Sequence, residues 1–187
     1  METGNPAADV MECSVRIRQA VGTDAPAIAE VLHHSFVEFQ ALYTAAGFAA
    51  TVLDAQQVSQ RIGEGPVWVA LWNDQIAGTA SAVRQTEDRL YVRGIAVVPS
   101  ARGRGLAAWL LQEVEDFAKS SRCRRLFLTT TPFLSGAIRL YERFGFSLVP
   151  DGTADLFGTP LLTMTKPIAS QKRFENSERI KHVAEQR

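Results

Sequence analysis

The sequence contains few cysteines and no excess of either charge, and both features narrow the class of protein. Cys13 and Cys123 are too few and too far apart for a disulfide framework or a metal cluster, so we expect no metal. Lysine plus arginine balances aspartate plus glutamate at 20 each. The chain therefore lacks the basic field that is typical of proteins binding nucleic acid or anionic lipid. A site for an anion must therefore be formed by a few neighbouring groups and not by the charge of the whole protein.

The sequence also lacks long apolar runs and an export signal. No stretch approaches the roughly 18 consecutive apolar residues of a membrane span. The first residues, Met1 to Pro6, contain neither the positive region nor the apolar region of a secretion signal. We therefore expect a cytoplasmic protein that has no membrane partner.

The remaining composition indicates one globular domain with short extensions. Apolar residues make up 46% of the 187 residues, enough to bury a full core. Residues 1–13 show no periodicity and predict a flexible lead. Beyond Pro167 the composition changes: Gln171 to Lys181 is charged and nearly free of aliphatic side chains, which predicts a polar tail, or a marginal helix, within 168–187. The working domain should span 14–167.

Hydrophobic periodicity predicts an α+β fold in which helices flank a mixed, mostly antiparallel sheet. Gly94 interrupts the fourth strand and indicates a bulge or a close backbone approach. Gly145 should end the last helix, and a long polar connection should cover 151–159. The predicted strands are 15–18, 67–71, 76–83, 90–97, 126–130, 146–148 and 161–164. The first predicted helix is capped by Thr23 or Asp24 and runs to about residue 39, and the other predicted helices are 54–62, 107–119 and 135–143.

The segment from Val97 to Ala107 carries the clearest chemical signal. It leaves the fourth strand, turns at Pro99 and enters a helix through Arg102-Gly103-Arg104-Gly105. A helix start presents unpaired N–H groups and a partial positive charge. Glycines let a diphosphate approach that backbone, and the two arginines add full charges. These features predict a phosphate cradle.

Two other phosphate-binding motifs fit this segment less well. A P-loop requires G-x-x-x-x-G-K-[ST], and the sequence contains no such run. Gly103 to Ala108 formally fits the dinucleotide fingerprint G-x-G-x-x-A. That motif also requires an acidic residue about 20 positions on, at the end of the next strand. Leu126 to Thr130 offers none, so dinucleotide binding is the weaker alternative.

Two patterns together resemble the GNAT (GCN5-related) N-acetyltransferase superfamily. Arg102 to Ala107, preceded by Val97-Val98-Pro99, is similar to its R-x-x-G-x-A motif. Ala137 to Phe146 is similar to its second signature, A-x-x-L-Y-E-x-x-G-F, at the expected distance downstream. The resemblance spans about 15–166. It implies a GNAT-like sheet whose bulged fourth strand forms a slot for coenzyme A.

The resemblance also implies roles for individual residues. Loop amides would hold the diphosphate of acetyl-coenzyme A, and the pantetheine arm would run along the fourth strand like an extra strand. A backbone N–H near Val97 would stabilise the oxyanion, and Tyr141 would act as general acid toward the leaving thiolate. The implied cofactor-binding residues are Ile95, Val97, Arg102, Gly103, Arg104, Gly105, Leu106, Ala107 and Ala137.

Two positions depart from the superfamily pattern. Leu134 stands where many members carry an asparagine that contacts pantetheine, so Thr130 or Ser135 could take over that contact. The fourth strand reads Tyr91-Val92-Arg93 where many members place a glutamate base. Arg93 would suit an acceptor that bears a carboxylate or phosphate, and a solvated surface arginine is the alternative reading.

The implied activity is acetyl transfer from acetyl-coenzyme A to an amine acceptor. That amine could belong to a small molecule, a protein N-terminus or a lysine. A homodimer remains open, as does a non-catalytic acyl-coenzyme A-binding regulatory module in the same fold. Other base candidates lie on the first helix or in the turn before the fourth strand, namely His33, His34, Glu38, Glu87 and Asp88.

Overall fold

The computed structural model describes residues 15–169. The predicted lead at 1–13 and residues 170–187 of the predicted tail lie outside this range. Ile168, assigned to the tail from sequence, belongs to the folded domain: its side chain is buried, and its N–H donates to the Arg124 carbonyl at 2.8 Å. None of the helices within 15–169 is long and apolar enough to cross a membrane.

The described residues form one mixed sheet with strand order β1-β2-β3-β4-β5-β7-β6. Neighbouring strands are antiparallel except for the parallel pair β4 and β5. The predicted α+β class with a mostly antiparallel sheet is therefore confirmed. The strands are β1 Val15–Gln19, β2 Val67–Trp72, β3 Gln75–Arg84, β4 Arg89–Val97, β5 Arg125–Thr130, β6 Ser147–Leu156 and β7 Thr159–Pro167.

Helices cover both faces of the sheet, because their apolar stripes must be buried against it. The cluster on one face centres on Leu106, Leu110 and Val114 of α4, and the cluster on the other includes Leu32 of α1 and Val58 of α3. The helices are α1 Ala25–Phe36, α2 Ala45–Thr51, α3 Ala55–Glu64, α4 Leu106–Ser120 and α5 Ser135–Arg143. A 3₁₀ segment, Val37–Leu42, follows α1.

A bulge in β4 opens the sheet at its centre. The pairing of β3 with β4 shifts register between Thr79 and Ser81, where β4 carries an extra residue beside Gly94. Gly94 has a φ of +63°, in the left-handed region that favours glycine. The parallel pairing of β4 with β5 covers Arg89–Val92 only. Beyond Val92 the two strands separate, which gives the predicted slot.

Two regions differ from the sequence prediction. The first predicted helix ends at Phe36 rather than near residue 39, and the unpredicted α2 follows it. Small residues without apolar periodicity form α2, and Thr44 anchors it: its hydroxyl accepts from Gly47 N at 3.0 Å and donates to the Phe157 carbonyl at 2.8 Å. The contact with Phe157 joins residues that are far apart in the sequence, so the local sequence does not reveal it.

The predicted polar connection at 151–159 is also wrong in its structure. Strands β6 and β7 run through it and leave a turn at Phe157 and Gly158. The pairing of β6 with β7 is irregular between Leu148 and Thr153. Polar residues on an outer strand can face solvent, and their lack of hydrophobic alternation hides the strand.

Candidate active site

A cavity of about 980 Å³ occupies the slot between the diverging halves of β4 and β5. Its lining comes from β4, β5, the loop before α4, the first turns of α4 and α5, and the α1 to α3 region. Nine predicted site residues line it: Ile95, Val97, Arg102, Gly103, Gly105, Leu106, Ala107, Ala137 and Tyr141. One cavity thus brings together nearly all of the residues selected from sequence.

The loop before α4 forms one end of the cavity with backbone groups. Gly103 and Gly105 have φ values of +77° and +80°, and Gly105 is the residue before the first helical turn. The first backbone bond of the helix runs from Trp109 N to Gly105 O at 3.1 Å. Within residues 15–169, the amides from Gly103 to Ala108 have no backbone acceptor. They are available to an anion at the positive end of the helix.

The two arginines of this loop contact other parts of the protein. The Arg102 guanidinium donates to the Ser35 carbonyl at 3.0 Å and forms an ion pair with Glu38. The Arg104 guanidinium lies 4.1 Å from the ring centroid of Trp72 and is absent from the cavity lining. Arg102 therefore joins the loop to the end of α1, and Arg104 covers Trp72. The backbone amides of the loop are therefore better placed than the two arginine side chains to bind an anion.

Tyr141 lines the cavity from α5 and is 6% exposed. Burial raises the pKa of its phenol above the ordinary value, and the nearby Tyr43 phenol raises it further. Both effects disfavour the phenolate. Tyr141 therefore remains protonated at neutral pH and can donate a proton into the cavity.

The positions that depart from the superfamily pattern also fall in the cavity. Leu134, Thr130 and Ser135 all line it beside the start of α5. None of the five other base candidates, His33, His34, Glu38, Glu87 and Asp88, belongs to the lining. Within residues 15–169, the lining contains four arginines and no aspartate, glutamate or histidine. The cavity wall is therefore cationic.

Several residues that sequence reasoning did not select also line the cavity. Arg61 enters from α3, Tyr43 from the segment before α2, and Thr131 from the end of β5. Arg61 lies next to Val58 and Ile62 in a helix with a clear apolar side. The sequence alone therefore does not distinguish it from an ordinary surface arginine. Only the tertiary fold brings it against Gly94 of β4.

Two buried polar atoms of residues that line this cavity have no hydrogen-bond partner in the described part of the chain. They are Ser35 Oγ and Arg93 Nε. Buried polar atoms in folded proteins are nearly always paired with protein groups or water. Their concentration in one cavity indicates a site shaped for polar ligands.

Comparison with known proteins agrees with this geometry. Residues 28–146 match the sequence model of a protein family described as "Acetyltransferase (GNAT) family". The uncharacterized N-acetyltransferase YjgM of Escherichia coli (strain K12) is 30% identical over 138 residues, covering 70% of this chain and 80% of that protein. N-acetylaspartate synthetase of Danio rerio is 32% identical over 83 residues, covering 44% of this chain and 29% of that protein.

Solved structures share the fold at lower identity. The structure of yncA from Salmonella typhimurium, solved with its cofactor acetyl-CoA, has a TM-score of 0.66 and 23% identity. The match covers 84% of this chain and 95% of yncA. Family description, curated relative and fold agree, and the chain belongs to the acetyltransferase (GNAT) family.

Proposed function

We propose that this protein is an N-acetyltransferase that transfers the acetyl group of acetyl-coenzyme A directly to an amine. The row of unpaired amides from Gly103 to Ala108, placed at the end of the β4/β5 slot, carries the proposal. The family match, the names of the curated relatives and the acetyl-CoA found with yncA support the choice of donor.

The cavity suits each part of this donor. The amides at the head of α4 suit a diphosphate, since charge-assisted hydrogen bonds and the helix dipole favour an anion there. Ile95 and Val97 line the separated half of β4, where a pantetheine amide could pair with the strand. Ala107 and Ala137 are small residues on the two helix starts and leave room for the cofactor arm.

Tyr141 would complete the reaction as general acid. The amine nitrogen attacks the thioester carbonyl carbon, the new C–N bond forms, and the C–S bond breaks. An N–H near Val97 stabilises the negative oxygen formed at that carbon. The departing sulfur takes the phenol proton of Tyr141, and the surplus amine proton returns to the phenolate through water. General acid catalysis of this kind contributes about 10²- to 10⁴-fold to the rate.

The cationic wall bears on how the amine loses its proton. A carboxylate or imidazole base is missing from the lining within residues 15–169. Nearby positive charges disfavour a protonated amine and lower its pKa. An acceptor in this cavity would therefore reach the neutral, nucleophilic form without a dedicated base, with water taking the proton.

A non-catalytic acyl-coenzyme A-binding module is the second candidate. Arg93 in the position of a glutamate base, together with the lack of lining acids, favours it. Both candidates require donor binding, so only turnover separates them.

Turnover with a panel of amines tests the proposal. The protein is mixed with acetyl-CoA and small amines, amino acids or peptides with free N-termini and lysines. Free thiol is measured by absorbance, and acetylated product by mass spectrometry. Production of both in equal amounts is the expected result. Acetyl-CoA binding without product from any amine would favour the non-catalytic module, and absence of binding would overturn both.

A further inference from the structure

We propose that Arg61 and Arg93 form the acceptor subsite and hold a carboxylate, so that the acceptor is a free amino acid or a similar small carboxylated amine. The inference deepens the proposed acetyl transfer and rests on it. It names the acceptor class, which the family and the loop before α4 leave open.

Arg61 is the first reason. It is half-buried in the cavity wall, and a Cβ on Gly94 would lie only 2.6 Å from Arg61 Nη1. The missing side chain at the bulge thus gives the guanidinium its place beside β4. Within residues 15–169, no hydrogen bond or ion pair involves the Arg61 guanidinium, and Glu64 acts on it only through its charge. A half-buried guanidinium without a directly paired anion is costly, so its position is typical of a ligand-binding arginine.

Arg93 is the second reason, because it adds charge at the same point. One of its terminal nitrogens pairs with Glu64, while its Nε is buried and without a partner. Arg61, Arg93 and Glu64 interact electrostatically and together carry one net positive charge. A single carboxylate would neutralise this group, and guanidinium groups bind carboxylates in a bidentate manner.

The donor does not account for these two charges. Its phosphates belong at the loop before α4, whereas Arg93 lies four residues before Val97 on β4, about 13 Å along an extended strand. The pantetheine arm and the thioester, which occupy the region between, are uncharged. An anion near Arg61 and Arg93 must therefore come from the acceptor.

The rest of the wall is consistent with a small acceptor. Thr131 is buried, lies beside the Tyr43 phenol and is part of the lining, and its hydroxyl can hydrogen-bond a polar group that enters there. A peptide N-terminus carries an amide, not a carboxylate, next to its amine. The subsite therefore favours a free amino acid over a protein acceptor.

Matched pairs of acceptors test this inference. Each amino acid of a panel is compared with its carboxamide, with a short peptide that begins with the same residue, and with aminoethyl phosphate. We expect the free acids to show kcat/KM values about 10- to 100-fold above their carboxamides, the range for one hydrogen-bonded charge interaction. Equal use of acids and carboxamides would overturn the inference while leaving acetyl transfer intact. A preference for the peptides or for the phosphate would also overturn it. Acetyl-CoA binding with no transfer at all would instead contradict the proposed function.

Variants assign the preference to the two arginines. Arg61→Gln and Arg93→Gln should each raise KM for the acids about tenfold or more and leave KM for the carboxamides and binding of acetyl-CoA unchanged. Arg16→Gln is the matched control, since Arg16 is exposed on β1 and pairs with Asp74 away from the cavity. Arg61→Lys keeps the charge, and partial recovery of acid preference relative to Arg61→Gln is expected. An unchanged acid preference in both glutamine variants would rule out this subsite.

Discussion

The two ends of the cavity are built from different parts of the polypeptide. At the proposed donor end, consecutive residues of one loop present backbone amides, and glycines at 103 and 105 hold the required conformation. At the proposed acceptor end, side chains from α3, β4 and the end of β5 line the cavity. A site made of backbone amides does not depend on where the neighbouring side chains point. Arg102 and Arg104 can therefore contact Ser35 and Trp72 without disturbing it. A side-chain site depends on every residue that contributes to it.

This difference predicts different sensitivities to substitution. Changes in the loop should remove donor binding whatever the acceptor. Changes at Arg61 or Arg93 should alter the choice of acceptor and leave the donor bound. We expect the largest effects from substitutions in the loop.

Gly105→Trp should abolish acetyl-CoA binding. Gly105 has a φ of +80°, which is strained for any residue with a side chain, and an indole there would cover the amides of the first helical turn. Loss of two charge-assisted hydrogen bonds corresponds to roughly 100-fold or more in affinity. Isothermal titration with acetyl-CoA measures the change.

Gly22→Trp provides the control for that experiment. Gly22 is exposed, remote from the lining, and has no atom within 4 Å of an added Cβ. Its variant should bind acetyl-CoA like the wild type. Normal binding by Gly105→Trp would mean that the loop is not the diphosphate site.

Tyr141→Phe should lower turnover by about 100-fold, the lower range for a lost general acid. The phenyl ring keeps the packing against Phe146, so folding and acetyl-CoA affinity should not change. Single-turnover kinetics and titration with acetyl-CoA separate the two quantities. A matching loss of donor affinity would show that Tyr141 shapes the donor site instead of donating the proton.

Tyr43→Phe is the informative comparison for Tyr141. Tyr43 lines the same cavity, and its ring contacts Phe133 and Phe48 edge to face. Burial raises the pKa of its phenol as it does for Tyr141. If Tyr141 is the acid, Tyr43→Phe should reduce turnover far less. A larger loss in Tyr43→Phe would move the proton donor to Tyr43.

The sequence groups the residues of the proposed donor end because their determinants are local. Glycine spacing, the strand before it and the amphipathic helix after it occupy one continuous segment, so motif and periodicity identify them. Gly94 is similar, since a glycine inside a strand already indicates the bulge. Arg61 could not be found this way. It lies 33 positions before Gly94 in the sequence, and only packing of α3 on the sheet brings the two together. The helix α2 is not predicted from the sequence for the same reason, because its stabilising partners at Phe157 and Thr159 are distant in the chain.

Gly94→Ala should affect the acceptor end through Arg61. The added Cβ would lie 2.6 Å from Arg61 Nη1, and the flexible guanidinium would move away. The left-handed φ of +63° adds about 1–2 kcal/mol of strain. We expect the KM for carboxylated amines to rise several-fold, measured by steady-state kinetics, and the free energy of unfolding to fall by the strain.

Two comparisons isolate the role of Arg61 in that effect. In an Arg61→Gln background, Gly94→Ala should add little to KM, because interacting residues give non-additive changes. Gly145→Ala supplies similar backbone strain, with a φ of +94°, at a residue outside the cavity lining. It should lower stability without changing the acceptor KM. If Gly94→Ala and Arg61→Gln change the acceptor KM additively, the bulge does not act on the acceptor through Arg61.

The smallest predicted effect is a pH dependence of acceptor choice. Burial, and next the charge of Arg93, lower the pKa of the Arg61 guanidinium to about 10 against the opposing effects of Glu64 and Tyr91. Arg61 is therefore charged at neutral pH and loses its charge as the pH rises through about 10. Only the charged form attracts a carboxylate, so the kcat/KM ratio of an amino acid to its carboxamide should fall across that range. Both kcat/KM values are expressed per concentration of neutral amine, because the amine of an amino acid and that of its carboxamide have different pKa values, and circular dichroism verifies that the fold persists. The ratio should be flat in Arg61→Gln; a parallel fall in that variant would assign the titration to another group and leave Arg61 without its part in acceptor choice.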